Sequence, residues 1–103
     1  MRKLMLLLTA GILYAQDAAN GKKLFSSVGC YECHGRVGQG GSAGPRLAPR
    51  PVPLEALVAY VRHPSGAMPP YSAKLVTDAQ LADIHAYLAS TPLPAKDIPL
   101  LKQ

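Results

Sequence analysis

Cys30 and Cys33 are the only cysteines of the chain, and His34 directly follows the second. This spacing constrains the fold more than any other feature, because the rest of the sequence offers so little from which to build an interior. The chain holds one phenylalanine, Phe25, no tryptophan and ten prolines in 103 residues. So short a chain buries a small share of its surface and needs a staple. A disulfide between Cys30 and Cys33 would enclose only Tyr31 and Glu32 and would constrain almost nothing in the unfolded state. Something larger than a disulfide has to fill the middle.

The first stretch does not belong to the domain that needs filling. Arg2 and Lys3 precede an apolar run, Leu4 to Tyr14, too short to span a bilayer but suited to the middle of a secretory signal. Cleavage is expected after Ala15, or a few residues either side, since Leu13 is larger than the residue usual at that position. The alternative is an uncleaved amphipathic or membrane-anchoring N-terminus. The expected organisation is a signal peptide over 1–15, one domain over 16–92 and a Pro-containing tail over 93–103. Such a chain is exported to the periplasm or another extracytoplasmic space, with no stable membrane insertion once the signal is removed.

The formal charge of +5 includes Arg2 and Lys3, so the exported part is less basic than the whole. The remaining cations are spaced singly, without the aromatic interleaving or basic runs that track a phosphate backbone, so nucleic acid is not an expected partner. Between Arg36 and Thr77 five basic residues face one acid, Glu55, a balance that favours an acidic docking surface on another protein. For any one of these cations, a simple solvated surface explains as much.

The spacing predicts a short helix from Asp17 to Val28, with Ala18, Gly21, Leu24, Phe25 and Val28 at helical intervals. Gly21 is costly inside a helix and predicts a close approach by another backbone. Gly35, Gly38, Gly40, Gly41 and Gly44 then mark a loop; a phosphate cradle is disfavoured, because no strand precedes it and no P-loop lysine follows. Pro45, Pro49, Pro51 and Pro53 delay regular structure until Leu54, where Leu54, Leu57, Val58 and Val61 form one apolar stripe. Pro64, Gly66, Pro69 and Pro70 give an extended loop around Met68. A last helix is predicted from Asp78 to about Ser90, with Thr77 and Gln80 as a capping box and Leu81, Ile84, Tyr87 and Leu88 inward. No strand pattern or repeat is visible.

On one helical turn, Cys30, Cys33 and His34 share a face. That suits a flat ligand with two reactive side groups and a central metal, and Cys-x-x-Cys-His is the attachment pattern of c-type haem, in which thiols add to the vinyl groups and the imidazole lies under the iron. Two rivals use the same residues. A thiol-disulfide enzyme needs the cysteine pair after a strand, at the start of a helix. A zinc site needs a fourth ligand from His63 or His85. For the other face of the iron the candidates are Met68, His63 and His85; Met68 is favoured because its proline-bounded loop is stiff, whereas His63 reads as a helix end and His85 as a surface residue.

With Cys30-x-x-Cys33-His34 near the start, Gly44-Pro45-Arg46-Leu47 further on, and Met68-Pro69-Pro70 before a final Ala86-Tyr87-Leu88 helix, the chain resembles the small class I cytochromes c from Asp17 to Ser90. The resemblance implies an all-α fold of three to four short helices wrapped around one covalently bound haem c, with the first and last helices crossing near Gly21, Phe25, Ile84 and Tyr87. It implies that Cys30 and Cys33 carry the porphyrin, that His34 and Met68 ligate the iron, that the Pro45 carbonyl accepts from the His34 ring, and that Leu47 packs on the haem. Tyr71 is placed beside the haem, and Arg46 or Arg50 near its propionates. The chain departs from the family in a short middle section, in lacking a tryptophan and in its longer tail.

The implied function is one-electron transfer between a donor and an acceptor redox protein, a dehydrogenase or a terminal oxidase among them, by a monomeric carrier and not an enzyme. A haem subunit held tightly in a dehydrogenase complex is the alternative, and a thiol-disulfide or zinc-binding protein is the alternative of another class.

Overall fold

Asp17 starts the first helix by accepting a hydrogen bond from the Asn20 backbone N–H (3.0 Å), which satisfies one of the donors a helix leaves open at its N-terminus. The structure, a computed structural model, describes residues 16–92. The expected signal peptide over 1–15 and tail over 93–103 therefore lie outside the described residues. Four helices follow in order: α1 (Ala18–Ser27), α2 (Tyr31–His34), α3 (Leu54–Arg62) and α4 (Asp78–Ser90). Asp17 and Val28, expected as helical, are the caps of α1. The fold is all-α: among the described residues there are no strands, only an isolated antiparallel bridge between Gly41 and Gly44. No described helix is long and apolar enough to cross a membrane.

α4 is the spine. Its capping box is complete, with the Thr77 hydroxyl accepting from Gln80 N–H (3.1 Å) and the Gln80 side chain accepting from Thr77 N–H (2.9 Å). Leu81, Ile84, Tyr87 and Leu88 are buried as their spacing predicts, and Ala82 is buried with them. α1 packs more extensively on α4 than any other element does, and α3 packs on α4 too. At the α1–α4 crossing a Cβ on Gly21 would overlap the Asp83 carbonyl group, so only glycine admits this approach. The Phe25 and Tyr87 rings meet beside it at 5.7 Å between centroids and a tilt of 55°. Asp83 locks the contact: one carboxylate oxygen accepts from Asp17 N–H and the other from the Asn20 amide, both at 2.8 Å.

Phe25, Leu57, Val61, Val76, Leu81, Ile84, Tyr87 and Leu88, with Ala48, form the buried core. Around it lies a second set that is only half covered, including Cys30, Leu47, Leu54, Val58, Met68 and Tyr71. These come from the N-cap of α2, from both long loops and from α3.

Candidate functional site

α2 is a single turn. Cys30 already has helical dihedrals, His34 N–H donates to its carbonyl (3.1 Å), and Gly35 ends the turn with a positive φ of 82°. Cys30, Cys33 and His34 are therefore presented from one turn, as their spacing requires. Cys30 is half-buried and Cys33 exposed, and both thiols are free. His34 is the one buried polar side chain among the described residues, at 9% exposure.

The glycine loop exists to bring the chain back over this ring. Gly40 N–H donates to the His34 carbonyl (2.8 Å), and Leu47 and Ala48 N–H both donate to the Gly38 carbonyl (2.8 and 2.9 Å). This folds Gly44 and Pro45 against the imidazole. A Cβ on Gly44 would stand 3.0 Å from His34 Nδ1 and Cε1, so the ring lies against bare backbone. His34 Nδ1 then meets the Pro45 carbonyl at 2.8 Å. A carbonyl can only accept, so the proton is on Nδ1 and the lone pair is left on Nε2. A buried imidazole held in that tautomer can serve as a metal ligand, with its orienting partner already in place.

Met68 is half-buried and packs on the same core as Cys30, Leu47 and Tyr71. Tyr71 is fixed at three points: its N–H donates to the Val61 carbonyl (2.9 Å), its carbonyl accepts from Arg62 Nη1 (3.0 Å), and its hydroxyl donates to the Val28 carbonyl (2.9 Å). Burial chiefly, with Cys30, Glu32 and Cys33 nearby, raises its pKa above the ordinary tyrosine value, so the hydroxyl stays a donor. Arg46, expected near propionates, turns its Nε to the Ala48 carbonyl (2.7 Å); with Leu47 and Arg50 it lines a cleft of about 360 Å³.

The other candidate ligands are not gathered here. His63 is exposed at the C-terminus of α3, and His85 Nε2 lies 2.9 Å from the Val52 carbonyl. Among the described residues no three of His, Cys, Asp or Glu come together as a metal site, which leaves the zinc reading without its ligands. Burial pushes the Cys30 thiol up to about 11, against a smaller opposing effect of a backbone hydrogen bond. A thiol-disulfide nucleophile needs the reverse shift.

Haem fits what is present: a buried imidazole with a free Nε2, two free thiols on the same turn, and half-covered apolar side chains on the core, the Met68 thioether among them. Sequence reasoning did not find the closeness of Gly44 to the ring, the double use of Asp83, or Arg62. Only Gly44 left a signal, its place directly before Pro45.

A family model described as cytochrome c oxidase, cbb3-type, subunit III matches residues 16–88. The chain belongs to this family of c-type cytochromes. It is also similar to the cytochrome c subunit of 4-cresol dehydrogenase (hydroxylating) from Pseudomonas putida, at 37% identity over 92 residues, covering 87% of this chain and 77% of that protein. No solved structure matches. The cytochrome carries covalently bound haem c and serves in electron transfer, as the resemblance implied.

Proposed function

We propose that this cytochrome is an extracytoplasmic one-electron carrier in which Cys30 and Cys33 hold the haem and His34 and Met68 ligate its iron. The observation that carries the reading is the buried His34 ring, its Nδ1 committed to the Pro45 carbonyl at 2.8 Å and its Nε2 left free. When bound, the haem supplies a single iron that alternates between Fe(II) and Fe(III).

The chain's own residues set the conditions for that exchange. The Pro45 carbonyl keeps His34 in one tautomer and makes its Nε2 more basic. With Met68 as the second iron ligand, no position would remain for a substrate or dioxygen, so the haem would carry electrons and not act on a bound molecule. A thioether ligand and the apolar wall of Leu47, Leu54 and Val58 both favour Fe(II), which implies a comparatively high potential. Tyr71 lies near Cys30, and Arg46 and Arg50, which line one cleft, would offset the negative charge of the propionates.

Electrons would leave on the side of Cys30 and Cys33, where Tyr31 is 40% exposed. A groove of about 1060 Å³ next to it is lined by Lys22, Lys23, Arg36, Tyr31 and Val37, with no carboxylate, so the partner presents an acidic face there. The relative's printed name favours a dehydrogenase as donor, and a second reading, a permanent subunit of such a complex, rests on the same observation. A complex that survives purification in high salt selects the subunit; dissociation in moderate salt selects the shuttle. The segment 1–15 serves as the export signal.

Absorption spectra of the mature holoprotein test the ligand set. The ferric form is expected to show the weak long-wavelength band of thioether-bound iron, and Met68→Ala is expected to lose it, lower the potential and admit imidazole or cyanide to the iron. A Met68→Ala spectrum identical to the wild type would falsify the assignment of Met68.

A further inference from the structure

The chain from His63 to Pro70 leaves the end of α3 and returns to it. Among the described residues, 64–70 make no hydrogen bond of their own, so beyond the packing of Met68 on the core the loop is held by bonds at its two ends, His63 to Ala59 and, at the far end, a larger set. The far grip is Tyr71. α3 stops at Arg62, which leaves the Val61 carbonyl among the four a helix cannot pair at its C-terminus, and Tyr71 N–H fills it at 2.9 Å. Arg62 then closes the other side of the same residue, donating from Nη1 to the Tyr71 carbonyl at 3.0 Å. Its second terminal nitrogen donates to Asp78 Oδ1 at 2.7 Å, in the first turn of α4.

We infer that Arg62 is the clasp of the methionine loop: by pinning Tyr71 to α3 and α4 it limits how far Met68 can withdraw, and so controls how readily the iron opens to other ligands. The inference rests on Met68 being an iron ligand. Arg62 touches none of the ligating atoms and is a positioning residue. Its two bonds are unequal. The Arg62 side chain is 16% exposed and that of Asp78 57%, so the ion pair is largely screened, whereas the bond from the covered guanidinium to the Tyr71 carbonyl is charge-assisted and shielded. Removing Arg62 therefore outweighs removing Asp78. Local opening of a loop requires only its own contacts to break, so the effect falls on ligand exchange before it falls on global unfolding.

The test mixes ferric holoprotein with imidazole and follows loss of the thioether band; at saturating imidazole the rate is that of Met68 leaving the iron. Arg62→Met is expected to raise this rate roughly tenfold and Asp78→Asn about twofold. Arg62→Lys keeps the charge but not the forked geometry, and is expected to fall between Arg62→Met and the wild type. A wild-type rate in Arg62→Met, even with a lowered unfolding midpoint, makes the residue merely structural and overturns the inference while leaving Met68 as ligand. Should Arg62→Met not accumulate as holoprotein, Arg62→Lys decides in its place: a severalfold faster rate supports the clasp and an unchanged one overturns it. Absence of the band from the wild type is a separate result, which removes the reading of Met68 and the inference with it.

Discussion

The histidine and methionine sides of the site are built on opposite plans. His34 stands on a helical turn, is 9% exposed, and is boxed in by a loop that hydrogen-bonds back to it through Gly40 and reaches its ring through Pro45. Met68 stands in a stretch, 64–70, with no hydrogen bonds among the described residues; it packs half-buried on the core, and its loop is hydrogen-bonded only at its ends, the far one where Tyr71 returns to α3. The histidine side is held by many short-range contacts that fail together. The methionine side is held by the packing of its own side chain and by few hydrogen bonds, remote from the sulfur, that can fail alone. On the proposed ligation, a carrier needs both side chains to keep their geometry through each change of oxidation state, and the two would be kept by different means: one by enclosure, the other by a tether.

The largest expected effect separates the two sides outright. His34→Ala is expected to leave no stable holoprotein, since the vacated space lies in the enclosed half and a chain with this small a core depends on its prosthetic group. Met68→Ala is expected to yield a folded, coloured protein. Haem content and far-ultraviolet dichroism of the two purified variants check this; equal yields of folded holoprotein would erase the contrast.

Gly44→Ala sharpens the histidine side. Its φ lies outside the positive region that penalises a side chain, so the effect is one of space: the new Cβ meets the His34 ring and the Cys33 carbonyl at 3.0 Å, closer than real contacts of this kind usually come. Overpacking of this sort costs about 1–3 kcal/mol. As the ring gives way its bond to the Pro45 carbonyl lengthens, the Nε2 becomes less basic, and Fe(III) loses stabilisation. The potential is therefore expected to rise, the reverse of Met68→Ala, as a redox titration will show. A lowered unfolding midpoint with an unmoved potential means that the ring is not oriented by this loop.

How far each side was legible in the sequence follows from the same contrast. Cys30, Cys33, His34 and Pro45 are near neighbours in sequence, and their contacts follow from one helical turn and one glycine-rich return, so their pattern could be read directly. The long helices were legible for a similar reason, since the stripes of α3 and α4 and the Thr77 capping box are local. Gly21 announced a close backbone but not its partner, which the resemblance supplied. What could not be read were polar bonds across the chain: Asp83 accepts from residues 66 and 63 positions away, and Arg62 reaches Asp78 16 positions on. No periodicity encodes which carboxylate a given cation will meet. Val76, Ala48 and Ala82 were missed as core because single small or isolated apolar residues carry no stripe.

Tyr71→Phe is the finest probe of the methionine side. It removes one bond of the three at Tyr71, from the hydroxyl to the Val28 carbonyl at 2.9 Å, and leaves both bonds of the peptide unit to α3 intact. The Val28 carbonyl lies at the C-terminal cap of α1, and a single neutral bond of this kind contributes about 1 kcal/mol. The unfolding free energy is expected to fall by about that amount, measured in denaturant, with the thioether band retained. Because Arg62 and Val61 still hold the loop, the rate at which imidazole displaces Met68 should change less than in Arg62→Met. The pH dependence has a definite sign. The hydroxyl's pKa is raised in the folded state, so its stabilisation is fully present below the ordinary tyrosine value and is lost as pH rises through the raised one. Wild type and Tyr71→Phe should therefore differ at neutral pH and converge in strong alkali. A variant that loses the band outright would move the anchor of Met68 from the guanidinium to the phenol, and the tether would then run to α1 instead of α3.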